Sequence, residues 1–344
     1  MRALQWQGPN QLAVGEVPDP RIRTRGDIVV RVRQSVTCGS DLHVLGGSNP
    51  YVEKGDVLGH EFVGEVVEHG PDVQRHRKGD RVVVASFIAC GRCWFCSQRE
   101  YSLCDNGGCF GFSHAGSHAE YVRVPFADVG AFTVPDEITD ERALFASDSA
   151  ATGWMGADMA GVKVGDVVAV WGAGAVGQLA ARAAILLGAD RVMVIDRHEN
   201  RLHQAEKHIG AETINCDRTD VGAELLDRSG GRGPDVCLEA AGELTAVREA
   251  VQLCRKGGSV FVLGLFAGAM DKFPLGSVTS NGLTVRSARM HGQRYIPMLL
   301  QRMAKGELTT EHLATHVLPL TQAPEGYRLF RTREDGCVRS VFLP

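Results

Sequence analysis

Ten cysteines and twelve histidines are spread along the 344-residue chain, and a few stand at spacings that suit metal chemistry. Cys38 opens the segment Cys38-Gly-Ser40-Asp41-Leu-His43, and His60 follows 22 residues later in Gly59-His60-Glu61. Thiolate and imidazole are zinc-type donors. Alone, the pair reads equally well as a buried cysteine and a satisfied loop histidine. The run Cys90-x2-Cys93-x2-Cys96-x7-Cys104 is a stronger signal. Four thiolates so close in sequence suit a tetrahedral zinc site that leaves no position open to substrate, which makes it structural. A redox-labile disulfide pair would fit these gaps poorly. Cys109 lies just beyond, but the x7 gap favours Cys104 as the fourth ligand. Cys216, Cys237, Cys254 and Cys337 lie in or near apolar runs and read as packing residues. Asp148, in Phe145-Ala-Ser-Asp148-Ser-Ala-Ala-Thr152, reads as a helix cap unless a catalytic metal needs a third protein ligand.

A second constellation is made for a dinucleotide. Val167 to Trp171 is a short apolar run suited to a strand buried on both faces. Gly172, Gly174 and Gly177 follow in the G-x-G-x-x-G spacing, and Val176, Leu179, Ala180, Ala183, Ala184 and Leu187 recur at helical intervals up to a stop at Gly188. The first glycine serves a tight turn, the second the approach of a pyrophosphate, and the third close helix–strand packing. The helix start offers N–H groups to the phosphates. A further apolar run ends in Asp196, 19 residues after Gly177, placed to accept from both ribose hydroxyls of NAD. The same carboxylate would face the 2′-phosphate of NADP. Arg197 and Arg201 stand near enough to bind that phosphate, so NAD is expected as cofactor with residual use of NADP.

These residues must be carried by elements of two kinds. Residues 1–150 read as mainly β, with strand candidates at Leu12–Val17, Ile28–Val36, Phe62–Val67, Arg81–Val84 and Ala119–Val124, punctuated by turns such as Gly70-Pro71-Asp72. From about 151 strands alternate with helices: Val167–Trp171, Arg191–Ile195, Thr213–Ile214, Asp235–Leu238, Ser259–Leu263 and Leu283–Ser287 predict a six-stranded doubly wound parallel sheet over 151–287. The tail from 288 to 344 fits neither pattern and is expected to return to the first domain. The fold class is therefore α/β.

The bulk properties narrow the function. A net charge of −4, from 41 acids against 37 bases, with no Lys/Arg-rich run, argues against nucleic acid as a partner. The first residues, Met1-Arg-Ala-Leu-Gln-Trp-Gln, contain no apolar core of signal-peptide length, and no run is long enough to span a membrane. With cysteines that read as ligands and buried thiols, the expected compartment is the cytoplasm.

Taken together, the Cys38–His43 segment, Gly59-His60-Glu61, the four-cysteine lobe, the Gly172–Gly177 turn with Asp196, and the domain order resemble the zinc-dependent medium-chain dehydrogenases of the alcohol dehydrogenase superfamily. Ser147-Asp148, Gly231-Arg-Gly-Pro-Asp-Val-Cys237 and Glu334-Asp-Gly-Cys-Val338 resemble the formaldehyde-dehydrogenase-like branch. The resemblance implies a GroES-like catalytic domain, a homodimer or homotetramer, and a catalytic zinc on Cys38, His60 and Asp148. Many relatives carry a cysteine where Asp148 stands, and a carboxylate is a harder ligand. It implies that Glu61 sits behind the metal or visits it, that Asp41 orients His60, and that Ser40 and His43 relay the alcohol proton through the nicotinamide ribose. Thr152 matches a residue near nicotinamide, Arg201 a basic residue that NAD-using relatives carry, and Arg339 a residue that meets the cofactor phosphates. Gly39 stands where some relatives carry a phosphate-binding basic residue. The implied reaction is reversible hydride transfer between a small alcohol and NAD, giving an aldehyde or ketone. A polyol or sugar dehydrogenase and a nucleotide-sensing protein without turnover are the alternatives. Ser86, Phe87 and Trp154 are candidates for the substrate pocket.

Overall fold

Ile28–Val36 is the strand about which the first part of the molecule is built. Ile28, Val30 and Val32 bury one face, while Arg31 and Arg33 point to solvent, as a half-buried antiparallel strand requires. In this computed structural model, which describes residues 1–266 and 270–344, it is the central strand of a seven-stranded sheet. The order is His316–Pro319, Ser340–Leu343, Ile28–Val36, Glu61–His69, Arg81–Val84 and Ala131–Thr133, with Tyr121–Val124 also paired to Ile28–Val36. Ile28, Val30, Val32, Phe62, Val66, Val82, Val84 and Phe110 form one core on this sheet.

The chain divides into two compact units, Met1–Ala151 with Met290–Pro344, and Thr152–Arg289. The tail contributes the helices Gly292–Ala304 and Ala323–Thr332 and two strands of the first unit's sheet. Sequence periodicity misses those two strands because each is only four residues long. It also misses Arg2–Gly8, which pairs antiparallel with Gln11–Glu16. There Ala3 and Leu4 are both buried, so the segment lacks the alternation that marks a half-buried strand. Ala119 makes an isolated bridge to Ala3, and the strand expected from Ala119 begins only at Tyr121.

The second unit holds a six-stranded parallel sheet in the order Glu212–Asn215, Arg191–Asp196, Val167–Trp171, Val236–Glu239, Ser259–Val262, Thr284–Ser287. In chain order this is 3-2-1-4-5-6, the doubly wound arrangement expected from the alternation of strands and helices. Successive connections run in opposite directions on either side of Val167–Trp171. The crevice at its carboxyl end is thus the place where such sheets bind ligands, and Gly172 follows there. Strand ends differ from the sequence reading by about a residue, as with Val236–Glu239 in place of Asp235–Leu238. Among the described residues, no helix is long and apolar enough to cross a membrane.

Candidate functional site

Antiparallel pairing brings two distant segments together. Val36, the last residue of its strand, pairs with Glu61, the first of the next. The residues just past one strand and just before the other therefore share one end of the sheet, and among them are Cys38 and His60. Ser147 fixes a third segment to the same end. Its Oγ accepts the Phe62 N–H at 3.2 Å and donates to the Val84 carbonyl. The next residue is Asp148. One donor atom each from Cys38, His60 and Asp148 lies within 4.8 Å of the others, and all three residues are buried. Asp148 Oδ2 is 3.1 Å from His60 Nε2 and 3.7 Å from Cys38 Sγ. Thiolate, imidazole and carboxylate in this compass fit Zn2+ with a fourth position left for substrate oxygen.

The surroundings favour positive charge at this point. Burial alone would lower the His60 pKa, but Asp41 and Cys38 outweigh it and raise it well above the ordinary histidine value. Asp41 Oδ1 makes an ion-pair contact with His60 Nδ1 at 2.9 Å, and its Oδ2 accepts the Cys38 N–H at 2.8 Å. Ser40 Oγ is 3.3 Å from His60 Nε2. His43, half-buried, is the third residue of the helical turn Asp41–Leu45. Glu61 is fully buried behind the cluster. Its oxygens accept from the Ser149 N–H at 2.9 Å and the Ser149 hydroxyl at 3.1 Å. Burial first, and then the Asp148 charge, push its pKa up to about 7 against the opposing pull of Arg339. Arg339 is 4% exposed and its Nη2 stands 3.3 Å from Ser149 Oγ and 3.9 Å from Cys38 Sγ. Ser147 and Ser149, which order the site from either side of Asp148, carry no sequence signal beyond adjacency to it.

Cys90, Cys93, Cys96 and Cys104 form a second cluster with donor atoms within 4.8 Å of one another. The Cys90 N–H donates to Cys104 Sγ at 3.2 Å, and the Asn106 amide to Cys90 Sγ at 3.6 Å. Burial raises the Cys90 pKa, but the N–H groups of Arg92 and Cys93 and the Asn106 amide bring it down to about 6. Cys96 is pushed up to about 12, by burial and then by Cys93. Four adjacent thiols cannot all ionise without a cation among them, and their close packing fits a closed tetrahedral metal site. Cys109, on the short strand Gly108–Cys109, is outside the quartet.

In the second unit the glycine turn meets the demands read from its spacing. Gly172 has φ +96°, and an added Cβ would stand 2.8 Å from the Ala241 nitrogen. At Gly177 a Cβ would fall 1.7 Å from the Gly172 carbonyl oxygen, so no side chain fits. Gly174 is open: the nearest atom to its Cβ position is Arg201 Nη1 at 4.0 Å. Helix Ala175–Leu186 begins directly after it, with Val176 half-buried in the first turn. Its leading N–H groups lack helical partners, so an open backbone, a helix start and a guanidinium converge where a pyrophosphate would fit. Asp196 accepts the Ala173 N–H on Oδ2 at 2.7 Å and the His198 N–H on Oδ1 at 2.9 Å. Arg197 pairs loosely with Glu243 at 3.7 Å. Thr152 and Trp154 lie on helix Ser149–Ala160 in the second unit, whereas Ser86, fully buried, and Phe87, half-buried, belong to the first. A Cβ at Gly39 would meet nothing within 4 Å.

Fold and clusters together define a two-unit, zinc-binding oxidoreductase with a dinucleotide sheet. Residues 24–136 match the alcohol dehydrogenase GroES-like domain family, and residues 175–305 the zinc-binding dehydrogenase family. An uncharacterized zinc-type alcohol dehydrogenase-like protein, AdhB of Bacillus subtilis (strain 168), is 34% identical over 379 residues and both chains are covered completely. The alcohol dehydrogenase TADH from Thermus sp. ATN1 superposes with a TM-score of 0.94 at 37% identity, covering 100% of this chain and 99% of that one. Two further structures, each at TM-score 0.88 and covering 100% of this chain and 99% of theirs, hold different cofactors. RspB from Escherichia coli, 26% identical, is complexed with NADH, and a putative zinc-binding dehydrogenase from Sinorhizobium meliloti 1021, 28% identical, is bound to NADP. The chain belongs to the zinc-type medium-chain alcohol dehydrogenase family.

Proposed function

We propose that this chain oxidises a small alcohol to an aldehyde or ketone, or reduces the carbonyl in reverse, with NAD(H) as the redox partner and a catalytic zinc on Cys38, His60 and Asp148. The observation that carries the reading is the buried convergence of those three donors beside Ser40. Zinc bound there supplies Lewis acidity that stabilises negative charge on the reacting oxygen near neutral pH, and nicotinamide supplies the hydride acceptor. The protein's own groups do the positioning. Ser40 Oγ takes the alcohol proton and His43 passes it outward. Asp41 holds the His60 ring by its far nitrogen. Glu61 sets the field behind the cluster with Arg339, which serves the cofactor phosphates. Thr152 lies near the nicotinamide. Gly172, Gly174, Val176 and Gly177 receive the pyrophosphate, with Arg201 beside it, and Asp196 receives the adenosine ribose.

The four-cysteine lobe holds a second, structural zinc. The Ser147-Asp148 segment, Gly231–Cys237 and Glu334–Val338 favour the formaldehyde-dehydrogenase-like branch, and the protein works in the cytoplasm as a homodimer or homotetramer. The test is absorbance at the reduced-nicotinamide band with simple alcohols, polyols and aldehydes, before and after chelation. We expect cofactor reduction with simple alcohols that chelation abolishes. Turnover confined to polyols would shift the substrate class, and none with any substrate would overturn the enzymatic reading.

A further inference from the structure

Strand Val236–Glu239 lies beside Val167–Trp171 in the parallel sheet, and its last residue, Glu239, stands in register with Trp171. The glycine turn therefore begins level with Glu239, and the peptide that follows Glu239 lies against it. The Ala240 N–H donates to the Trp171 carbonyl at 2.8 Å. A Cβ at Gly172 would stand 2.8 Å from the Ala241 nitrogen and 2.9 Å from the Ala240 carbonyl carbon, and one at Gly177 would stand 3.5 Å from the Ala240 Cβ. The peptide joining Ala240 to Ala241 is thus the surface on which the glycine turn rests.

That peptide is held by the Glu239 side chain. Its Oε1 accepts the N–H groups of Ala241 at 2.8 Å, Gly242 at 2.7 Å and Glu243 at 3.4 Å. Successive N–H groups make a concavity suited to an anionic oxygen, and the chain curls far enough to form it at Gly242, where φ is +71°. The other oxygen, Oε2, is buried with no hydrogen-bond partner among the described residues, and a Cβ at Gly264 would fall 2.5 Å from it. Leu263 and Gly264 donate in turn to the Glu239 carbonyl at 2.7 and 3.1 Å. One residue therefore ties together the ends of three neighbouring strands, Val167–Trp171, Val236–Glu239 and Ser259–Val262. Burying a carboxyl opposes folding, so packing alone does not account for an acid here. What it supplies is an acceptor that reaches round to the loop.

We propose that Glu239 is a positioning residue for the dinucleotide: its Oε1 fixes the Ala240–Glu243 loop against Gly172 and so keeps the glycine turn in the shape that receives the pyrophosphate. This rests on the reading of Gly172–Gly177 as a dinucleotide turn. Glu239 is fully buried, so it acts on the cofactor through the turn and not by contact.

Binding of NADH to the zinc-loaded protein, followed by nicotinamide fluorescence well below the melting temperature, tests this with three substitutions. Glu239→Gln keeps an acceptor oxygen of the same reach. Glu239→Asp keeps the charge but shortens the reach by a methylene, and Glu239→Met fills the space without such an acceptor. Glu239→Gln should bind NADH as wild type does. Glu239→Asp and Glu239→Met should bind about 10-fold more weakly, because a turn that keeps its shape one-tenth of the time binds one-tenth as tightly. KM for NAD should rise by the same factor, while zinc content and kcat at saturating cofactor stay as in wild type. Should Glu239→Met not fold, the contrast between Glu239→Asp and Glu239→Gln decides. Wild-type affinity in either weakened variant, with only the melting temperature lowered, would overturn the inference, since the side chain would then serve stability alone. Glu239→Gln weakened as far as Glu239→Asp would also overturn it, because the charge and not the reach would matter. A wild-type protein that binds neither NADH nor NADPH would overturn the dinucleotide reading as well.

Discussion

Asp196 holds the turn it belongs to: both of its oxygens accept backbone N–H groups, one from Ala173 within the glycine segment. Each oxygen keeps a further lone pair for a ribose hydroxyl, whereas a 2′-phosphate would meet an anion already fixed in place. We therefore expect wild type to prefer NAD. A difference of about 2–3 kcal/mol gives ~30–150-fold in kcat/KM, and Asp196→Ser should narrow it. Equal or better use of NADP by wild type would contradict this. Ser40 carries the second expectation at this scale. Ser40→Ala should lower turnover by about 10²–10⁴-fold while zinc and cofactor still bind, as loss of a proton-transfer group does. His43→Ala should cost less, because buffer can replace the outer end of a relay. Near-normal turnover of Ser40→Ala with chemistry limiting would remove it from the relay. The four clustered cysteines were legible in the sequence because the geometry that joins them is local, whereas Cys38 and His60 read no better as ligands than as packing residues until the register of one strand pair joined them. Asp148 was legible only through resemblance, since a lone acid before a helix has the same look as a cap. Ser147 and Ser149 were not legible, since neither carries a signal beyond lying next to Asp148.

At the scale of elements, the parallel strands were readable because burial on both faces demands short β-branched runs, as in Val167–Trp171. The strands of the tail gave no such signal: Ser340–Leu343 pairs with Ile28–Val36 through contacts some three hundred residues apart in the chain, and His316–Pro319 pairs in turn with Ser340–Leu343. The same limit hides Glu239, the last residue of strand Val236–Glu239. This carboxyl is fully buried, and its Oε1 accepts the N–H groups of Ala241 and Gly242 at 2.8 and 2.7 Å. Burial outweighs those bonds and raises its pKa from the usual 4.5 to about 7. The folded chain therefore holds this proton more tightly than the unfolded chain. The stability it contributes is fully present below pH 4.5 and is lost as pH rises through about 7. Glu239→Gln, neutral throughout, should gain melting temperature relative to wild type across that interval in cofactor-free protein. A difference between the two that does not vary with pH would show that Glu239 titrates as it does in the unfolded chain.

At the scale of the molecule, fold class and order of parts followed from texture: short alternating runs first, then strand–helix alternation. What texture does not supply is the meeting of Cys38, His60 and Asp148, which depends on the register of Val36 against Glu61 and on Ser147 bonded between Phe62 and Val84. The two clusters share no ligand. Loss of one should leave the other loaded, and the four-cysteine lobe should matter to stability more than to chemistry. The zinc-to-chain ratio decides this most directly, measured by elemental analysis of protein purified without chelator, for wild type and for Asp148→Ala. The expected result is two zinc ions per wild-type chain, one for each cluster, and one in the variant, retained by Cys90, Cys93, Cys96 and Cys104. One zinc per chain in both proteins, with activity unaffected by Asp148→Ala, would contradict it.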